Sequence, residues 1–426
     1  MKEKTFALKG TVFYSKTKDE ICVSPDSYLV CEDGLSAGVF PVLPEAYQGI
    51  PVRDTGNSLI IPGLTDLHIH APQYSFRSVG MDMELLEWLD QIAFPEESKF
   101  SDLEYARKSY QIFVNDVKKS PTTRLSAFGT LHVEATELLM DLMEETGLKA
   151  YIGKVNMDRN GPDTLQEKSV PDAKRDTLNW IADVQDKYTN VKPILTPRFT
   201  PSCSDPLMDE LGKIQRQYHL PVQSHLSENL SEMAWVKELC PNTAFYGEAY
   251  DQFGLFGGED CPTIMAHCVH CPDEELELIK KRGVYIAHCS QSNTNLASGI
   301  CPVRRYLDAG VNIGLGSDIA GGFSVSLLRA MSDSIQTSKL YWRLMDHNAK
   351  PLTLEEVFYM ATIGGGSFFG KVGSFEKGYE FDAVILNDEN LPYPQEFTPL
   401  QRLERLVYLS DDRNIIGKYV AGTKIF

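Results

Sequence analysis

The stretch Ile61-Pro62-Gly63-Leu64-Thr65-Asp66-Leu67-His68-Ile69-His70-Ala71-Pro72-Gln73-Tyr74 opens as an apolar run, breaks at Pro62 and Gly63, and ends in a polar, aromatic loop. In a β-strand, residues two apart project to one face, so His68 and His70 are expected to point the same way. Two imidazoles so placed can share a metal ion bound at about 2.0–2.1 Å from each nitrogen. The plainer reading is a pair of hydrogen-bonded histidines at a strand end, because a two-ligand pattern is short and common by chance. The rest of the chain has to decide between them.

Downstream of Leu64, β-type runs alternate with amphipathic stretches of helical period, the pattern of βα units. Eight strand candidates follow: 59–70, 123–130, 148–155, 192–199, 220–225, 263–267, 283–288 and 312–318. Helical stretches fall between most of them, at 103–118, 135–146, 207–218, 274–281 and 302–309. Eight parallel strands with outer helices make a (β/α)8 TIM-like barrel, whose active site lies at the C-terminal strand ends. Two more helices are expected at 327–343 and 353–362, the second opened by a Thr353/Glu356 capping box. Short strands occupy residues 1–60, at 6–14 and 27–31, and return in the tail at 381–386 and 415–420. The expected organisation is a catalytic barrel over 64–373, flanked by a small β-sandwich domain built from 1–63 and 374–426.

With 426 residues the chain is long enough for such a barrel, and 42% hydrophobic residues make a sizeable core possible. A net charge of −18 disfavours nucleic acid and anionic membranes as partners and reads as a solvated acidic surface. Nine cysteines lie scattered without a framework spacing, and no run approaches the ~18 apolar residues of a membrane helix. The opening Met1-Lys2-Glu3-Lys4-Thr5 lacks an apolar signal segment, and the closing Lys424-Ile425-Phe426 matches no sorting signal. These features suit a reduced, cytoplasmic protein.

Residues able to bind metal or move protons recur where the strands end. The first gives His68 and His70, the fourth Arg198 and Phe199, the fifth His225 with Glu228, the sixth His267 and the eighth Asp318. Three histidines and one carboxylate with an open position for water make a catalytic zinc site, and imidazole suits iron as well. Each residue also has a plainer role. His225 can be a core histidine, although Gln223-Ser224-His225-Leu226-Ser227-Glu228 is polar for a buried strand end. Glu228 can cap the next helix, and Asp318 can be a helix N-cap. His132 and His288 read as hydrogen-bonded structural histidines. Two further patterns are set aside. His132-Val133-Glu134 with Cys268-Val269-His270-Cys271 imitates the pieces of a cytidine-deaminase zinc site, but the halves lie far apart and no proline precedes Cys268. Gly364-Gly365-Gly366 lacks the Lys-Ser/Thr of a phosphate loop and reads as a turn.

Taken together, the chain resembles the amidohydrolase superfamily, and within it the branch that deaminates guanine. The superfamily motif is the run from Pro62 to His70. Narrower matches are Ala71 to Phe76, Trp88-Leu89 with Phe94-Pro95-Glu96, Lys154 to Asp158, Thr196 to Pro201, Ser224 to Glu228 and Ala266 to His270. Two departures are Pro72, where serine is common, and the loop His288-Cys289-Ser290-Gln291-Ser292-Asn293, where relatives more often carry Pro-Thr before Ser-Asn. The resemblance implies conversion of guanine to xanthine and ammonia by a homodimer. It implies one zinc ion per chain, held by His68, His70, His225 and Asp318, since the strand-four end offers Arg198 and no bridging lysine. Asp318 would help deprotonate the attacking water, Glu228 would shuttle protons, and His267 would hold the oxygen of the tetrahedral intermediate. Gln73, Arg198 and Phe199 would hold the base. Two alternatives stay open: the same scaffold acting on another purine, a pterin or a triazine, and a non-enzymatic scaffold, against which the retained ligands argue.

Overall fold

The computed structural model describes residues 5–426; the opening Met1–Lys4, read above for a signal segment, lies outside the described residues. Eight parallel strands form one sheet: β1 (Leu64–His70), β2 (Thr122–Phe128), β3 (Lys149–Gly153), β4 (Val191–Pro193), β5 (Val222–Leu226), β6 (Thr263–His267), β7 (Tyr285–His288) and β8 (Asn312–Leu315). Their order is β5-β6-β7-β8-β1-β2-β3-β4. The two ends meet through Leu195, just past β4. Its N–H donates to Pro221 O and its carbonyl accepts from Gln223 N–H, both at 2.9 Å. The sheet is thereby a closed (β/α)8 barrel, which leaves no unpaired edge. Each strand expected from the sequence overlaps one of the eight.

A second, seven-stranded sheet joins the two ends of the chain, running from Thr423–Lys424 through Ile415–Val420, Ala383–Leu386, Val52–Pro62, Thr5–Thr17 and Glu20–Glu32 to Leu35–Phe40. The expected strand 59–70 is therefore two strands. Residues up to Pro62 pair with the C-terminal Ala383–Leu386, and Leu64 onward pairs in the barrel. The break falls at Gly63, where an added Cβ would lie 2.1–2.7 Å from the Thr123 side chain, so only glycine lets the chain cross there. Arg124 of β2 ties the two sheets: its Nε donates to Asp382 Oδ2 at 2.6 Å, and its Nη2 to Glu380 Oε2 at 2.8 Å.

The helices at 103–119, 133–146, 205–218, 273–282, 303–309 and 327–344 begin within two residues of their expected starts. Asp102 and Ser204 accept from backbone N–H groups of the first turn, and Thr353 with Glu356 forms the anticipated capping box. Gly364-Gly365-Gly366 departs from expectation: it continues a helical segment from Leu354 to Phe369 rather than turning. Its glycines are packing residues. A Cβ on Gly364 would strike Ile313 O at 2.4 Å, and one on Gly314 of β8 would meet Gly365 Cα at 2.7 Å, so this helix lies directly against the barrel wall.

Candidate active site

The catalytic end of the barrel is set by how its strands stop. β1 carries a register irregularity between Asp66 and Ile69 in its pairing with β2, at the His68 position. Ser227, His267, Cys268 and Asp318 all have positive φ, a conformation non-glycine residues rarely adopt. Such strain costs about 1–3 kcal/mol per residue and collects at functional sites, where it turns the chain sharply and aims a side chain. Asp318 starts no helix and instead faces the histidines; Asn229, not Glu228, caps the helix Leu230–Leu239. Both plainer roles therefore lapse.

Asp318 Oδ1 lies 3.1 Å from His68 Nε2 and 3.5 Å from His70 Nε2, while His70 Nε2 and His225 Nε2 are 3.2 Å apart. An ion bound at 2.0–2.2 Å would hold its ligand atoms roughly 3.3–3.5 Å apart, close to these three spacings. His68, His70 and Asp318 bring one donor atom each within 4.8 Å of one another, and His225 makes a second such group with His68 and His267. The donor chemistry fits too. His68 is fully buried, and among the described residues neither ring nitrogen makes a well-aligned hydrogen bond, its Nε2 facing the Asp318 carboxylate as a metal ligand's would. His225 is oriented from behind, its Nδ1–H donating to Arg198 O at 2.6 Å. Burial and the neighbouring imidazoles push His70 and His225 well below the usual histidine range, keeping them in the neutral, metal-binding form.

Glu228 and His267 stand beside this cluster. His267 Nε2 is 3.3 Å from Glu228 Oε2 and 3.7 Å from Asp318 Oδ2. Its Nδ1 sits 2.9 Å from Asn293 Oδ1, and Ser298 Oγ donates to Glu228 Oε1 at 3.1 Å. The two carboxyls are driven apart. Burial, with the nearby Asp318 carboxylate, lifts Glu228 well above the usual carboxylate range. Burial alone would lift Asp318 as well, but the surrounding imidazoles, His68 first, hold it well below that range. One group kept protonated beside one kept ionised is the arrangement of an acid and a base.

A cavity opens over these groups, lined by His70, His225, Glu228, His267 and Asp318 at one end and by Gln73, Arg198 and Phe199 at the other. Leu85, Trp88 and Leu89 cover it; they belong to a helical insertion after β1, running from Leu85 to Ser101 and including a π-helical turn at Leu89–Ala93. Pro72 fits the Ala71–Phe76 turn that leads into this insertion, since the first turn of a helix has no use for its missing N–H. All nine expected site residues thus lie together. Three were not expected: Asn293 on the short helix Ser290–Asn295 after β7, Ser298 just beyond that helix, and Glu97, which binds Arg198 and Gln73. Trp88 lines the cavity, and the Phe94 ring centroid lies 4.9 Å from Arg198 Cζ. His288, expected to be hydrogen-bonded, is buried with neither ring nitrogen in a hydrogen bond among the described residues, and His132 likewise leaves Nε2 unpaired. Both lie outside the cavity lining.

Comparison with known proteins places this geometry. Residues 59–425 match the model of the Amidohydrolase family. The guanine deaminase of Dictyostelium discoideum is 41% identical over 445 residues, spanning 98% of this chain and 97% of its own. A crystal structure of guanine deaminase from C. acetobutylicum, with bound guanine in the active site, superposes with a TM-score of 0.96 at 50% identity, covering 99% of this chain and all of the other. An adenosine deaminase of Xanthomonas campestris with bound zinc shares the fold at a TM-score of 0.83 and 20% identity, over 99% and 92% of the two chains. From its matched length, its near full-length relatives and the ligand cluster at its barrel mouth, the chain belongs to the amidohydrolase family, in the guanine deaminase branch.

Proposed function

We propose that this enzyme hydrolyses guanine to xanthine and ammonia at a single divalent metal, zinc, held by His68, His70, His225 and Asp318. The observation that carries the reading is the shared cavity: the acid, the base and the metal ligands line one end of the same space whose other end presents Arg198 and Gln73. A divalent ion held by these four residues would lower the pKa of a water from 15.7 toward roughly 7.

Attack at C2, the carbon bearing the amine, needs protons moved among three atoms. Asp318 takes the first proton of the incoming water, a role suited to the carboxyl held ionised. Glu228, held protonated, gives its proton to ring N3. As a carboxylate it then takes the remaining proton of the attacking oxygen and delivers it to the amine, which leaves as ammonia. The proton on Asp318 returns to Glu228 and closes the cycle. His267, anchored by Asn293, directs Nε2 between both carboxyls and steadies the developing oxygen charge. Arg198 spends two of its five N–H donors on Glu97, leaving others for the C6 oxygen and a ring acceptor, and Phe199 covers the purine face.

Ammonia release across guanine, adenine and a set of pterins and triazines tests the assignment. Adenine carries an amine where Arg198 wants an oxygen and has no leaving group at C2, so guanine is expected to exceed it by at least ~10³-fold in kcat/KM. Comparable turnover of adenine, or a preferred pterin or triazine, overturns the substrate assignment. The reading includes a cytoplasmic homodimer. Nine unpaired cysteines support a reducing compartment, and exposed Leu340 and Leu344 on one helix give an apolar face for a second copy; sedimentation checks the latter.

A further inference from the structure

Glu97 stands behind the recognising wall, 2% exposed, on the short helix Phe94–Ser98 of the insertion that covers the cavity. Its Oε2 accepts from Arg198 Nη1 at 2.5 Å, and its Oε1 accepts from Arg198 Nη2 and from Gln73 Nε2, both at 2.8 Å. Gln73 is held at its other amide atom too, where Oε1 accepts from Ala320 N–H at 2.8 Å. A carboxylate only accepts and a backbone N–H only donates, so these two partners fix which way the Gln73 amide faces. Flipped, it would set oxygen against oxygen and N–H against N–H. Arg198 is pinned at the same time, by a bidentate pair and by the Phe94 ring.

We propose that Glu97 is the positioning residue that sets purine specificity: by committing its carboxylate to both Arg198 and Gln73, it leaves a wall of donors that accepts a C6 oxygen and refuses a C6 amine. This inference rests on the guanine assignment above. An exocyclic amine needs an acceptor, and the carboxylate behind the wall is already spent on Arg198 and Gln73. Replacing Glu97 by a group that also donates releases the amide to turn and leaves Arg198 free to shift.

The test compares guanine, 2,6-diaminopurine, which has an amine at C6, and 2-aminopurine, which has nothing there. All three carry the amine at C2. Wild type is expected to prefer guanine over 2,6-diaminopurine by at least ~10³-fold. Glu97→Gln should lower kcat/KM for guanine by about 10²-fold, the scale of a misplaced positioning group, while 2-aminopurine, which keeps the ring acceptor but has no C6 oxygen to lose, falls by no more than about tenfold. The guanine preference should shrink to about tenfold, with metal per chain unchanged. Glu97→Asp, which keeps acceptor-only chemistry but withdraws it by one methylene, should fall between. If Glu97→Gln does not fold, Glu97→Asp carries the test, and its preference must drop by at least about threefold. A preference kept within threefold of wild type, or an equal loss on all three bases, overturns the role of Glu97. Wild type that leaves guanine untouched overturns the substrate assignment, and this inference with it.

Discussion

Arg198→Met separates recognition from stability, because Arg198 does both jobs. Removing the guanidinium deletes two charge-assisted hydrogen bonds and leaves Glu97 buried, with Gln73 Nε2 as its remaining partner among the described residues. Breaking one side of a buried ion pair costs about 3–5 kcal/mol. Unfolding entropy near 2.1 cal/mol/K per residue over 426 residues gives about 0.9 kcal/mol/K, so the melting temperature should fall by about 3–6 °C. Catalysis should fall much further. A charged hydrogen bond to substrate contributes about 1.5–3 kcal/mol, or about 10–10²-fold, and a tilted base misplaces C2 for about another 10²-fold. Together these predict a loss of ~10³–10⁴-fold in kcat/KM for guanine, with metal content unchanged, since Arg198 supplies only a backbone carbonyl to His225. The double variant Glu97→Gln/Arg198→Met should regain most of the lost melting temperature and none of the turnover. Differential scanning calorimetry, elemental analysis and an ammonia assay read the three quantities. Guanine turnover within about tenfold of wild type in Arg198→Met would refute the substrate contact. A double variant no more stable than the single one would refute the stranded-charge account.

The remaining predictions concern the reacting end and the frame. Elemental analysis should find about one metal per chain, and His225→Ala should remove metal and activity together; two tightly held metals would contradict the four-residue site. Glu228→Gln should keep its metal and lose ~10²-fold or more in kcat, the usual range for a general acid/base, and near-normal kcat would pass the proton shuttle to His267. Arg124→Met should cost about 3–5 kcal/mol at neutral pH by stranding the buried Asp382. Burial raises Glu380, but Arg124 together with Lys149 outweighs it and holds the carboxyl below its ordinary 4.5, so Arg124's share of the stabilisation is present above that value and fades as pH falls through the lowered one. The gap in melting temperature between wild type and Arg124→Met should therefore narrow below about pH 4. A gap that does not change with pH would assign the loss to packing.

What the sequence made legible follows from how local each signal is. The barrel could be counted because buried parallel strands are short apolar runs with helical stretches between them, and the ligands could be found because they sit at the ends of those runs. His68, His70, His225 and His267 belong to strands, and Asp318 follows one by three residues, so strand assignment alone brought them to one mouth. The glycine run at 364–366 misled for a physical reason. Glycine is a turn former in isolation, but here its missing side chain lets a helix approach Ile313 and Gly314, a contact visible only once β8 is in place. Glu97, Asn293 and Ser298 stayed silent for a related reason: each acts on a residue many positions away, and none has a spacing that announces it.

The two ends of the cavity are accordingly held by different means. At the reacting end, the aim of each group comes from the strand that carries it or from strained backbone at its end, as with His267 and Asp318. Altering that backbone moves the barrel itself. At the recognising end, Gln73 and Glu97 come from the turn and the helical insertion that follow β1, Arg198 from the segment after β4, and the three are joined to one another through side-chain hydrogen bonds. Choice of base is then a property of the cover and its buried Glu97, while the hydrolytic chemistry is a property of the barrel, and substitutions in the insertion should change which purine is cut before they change whether any is.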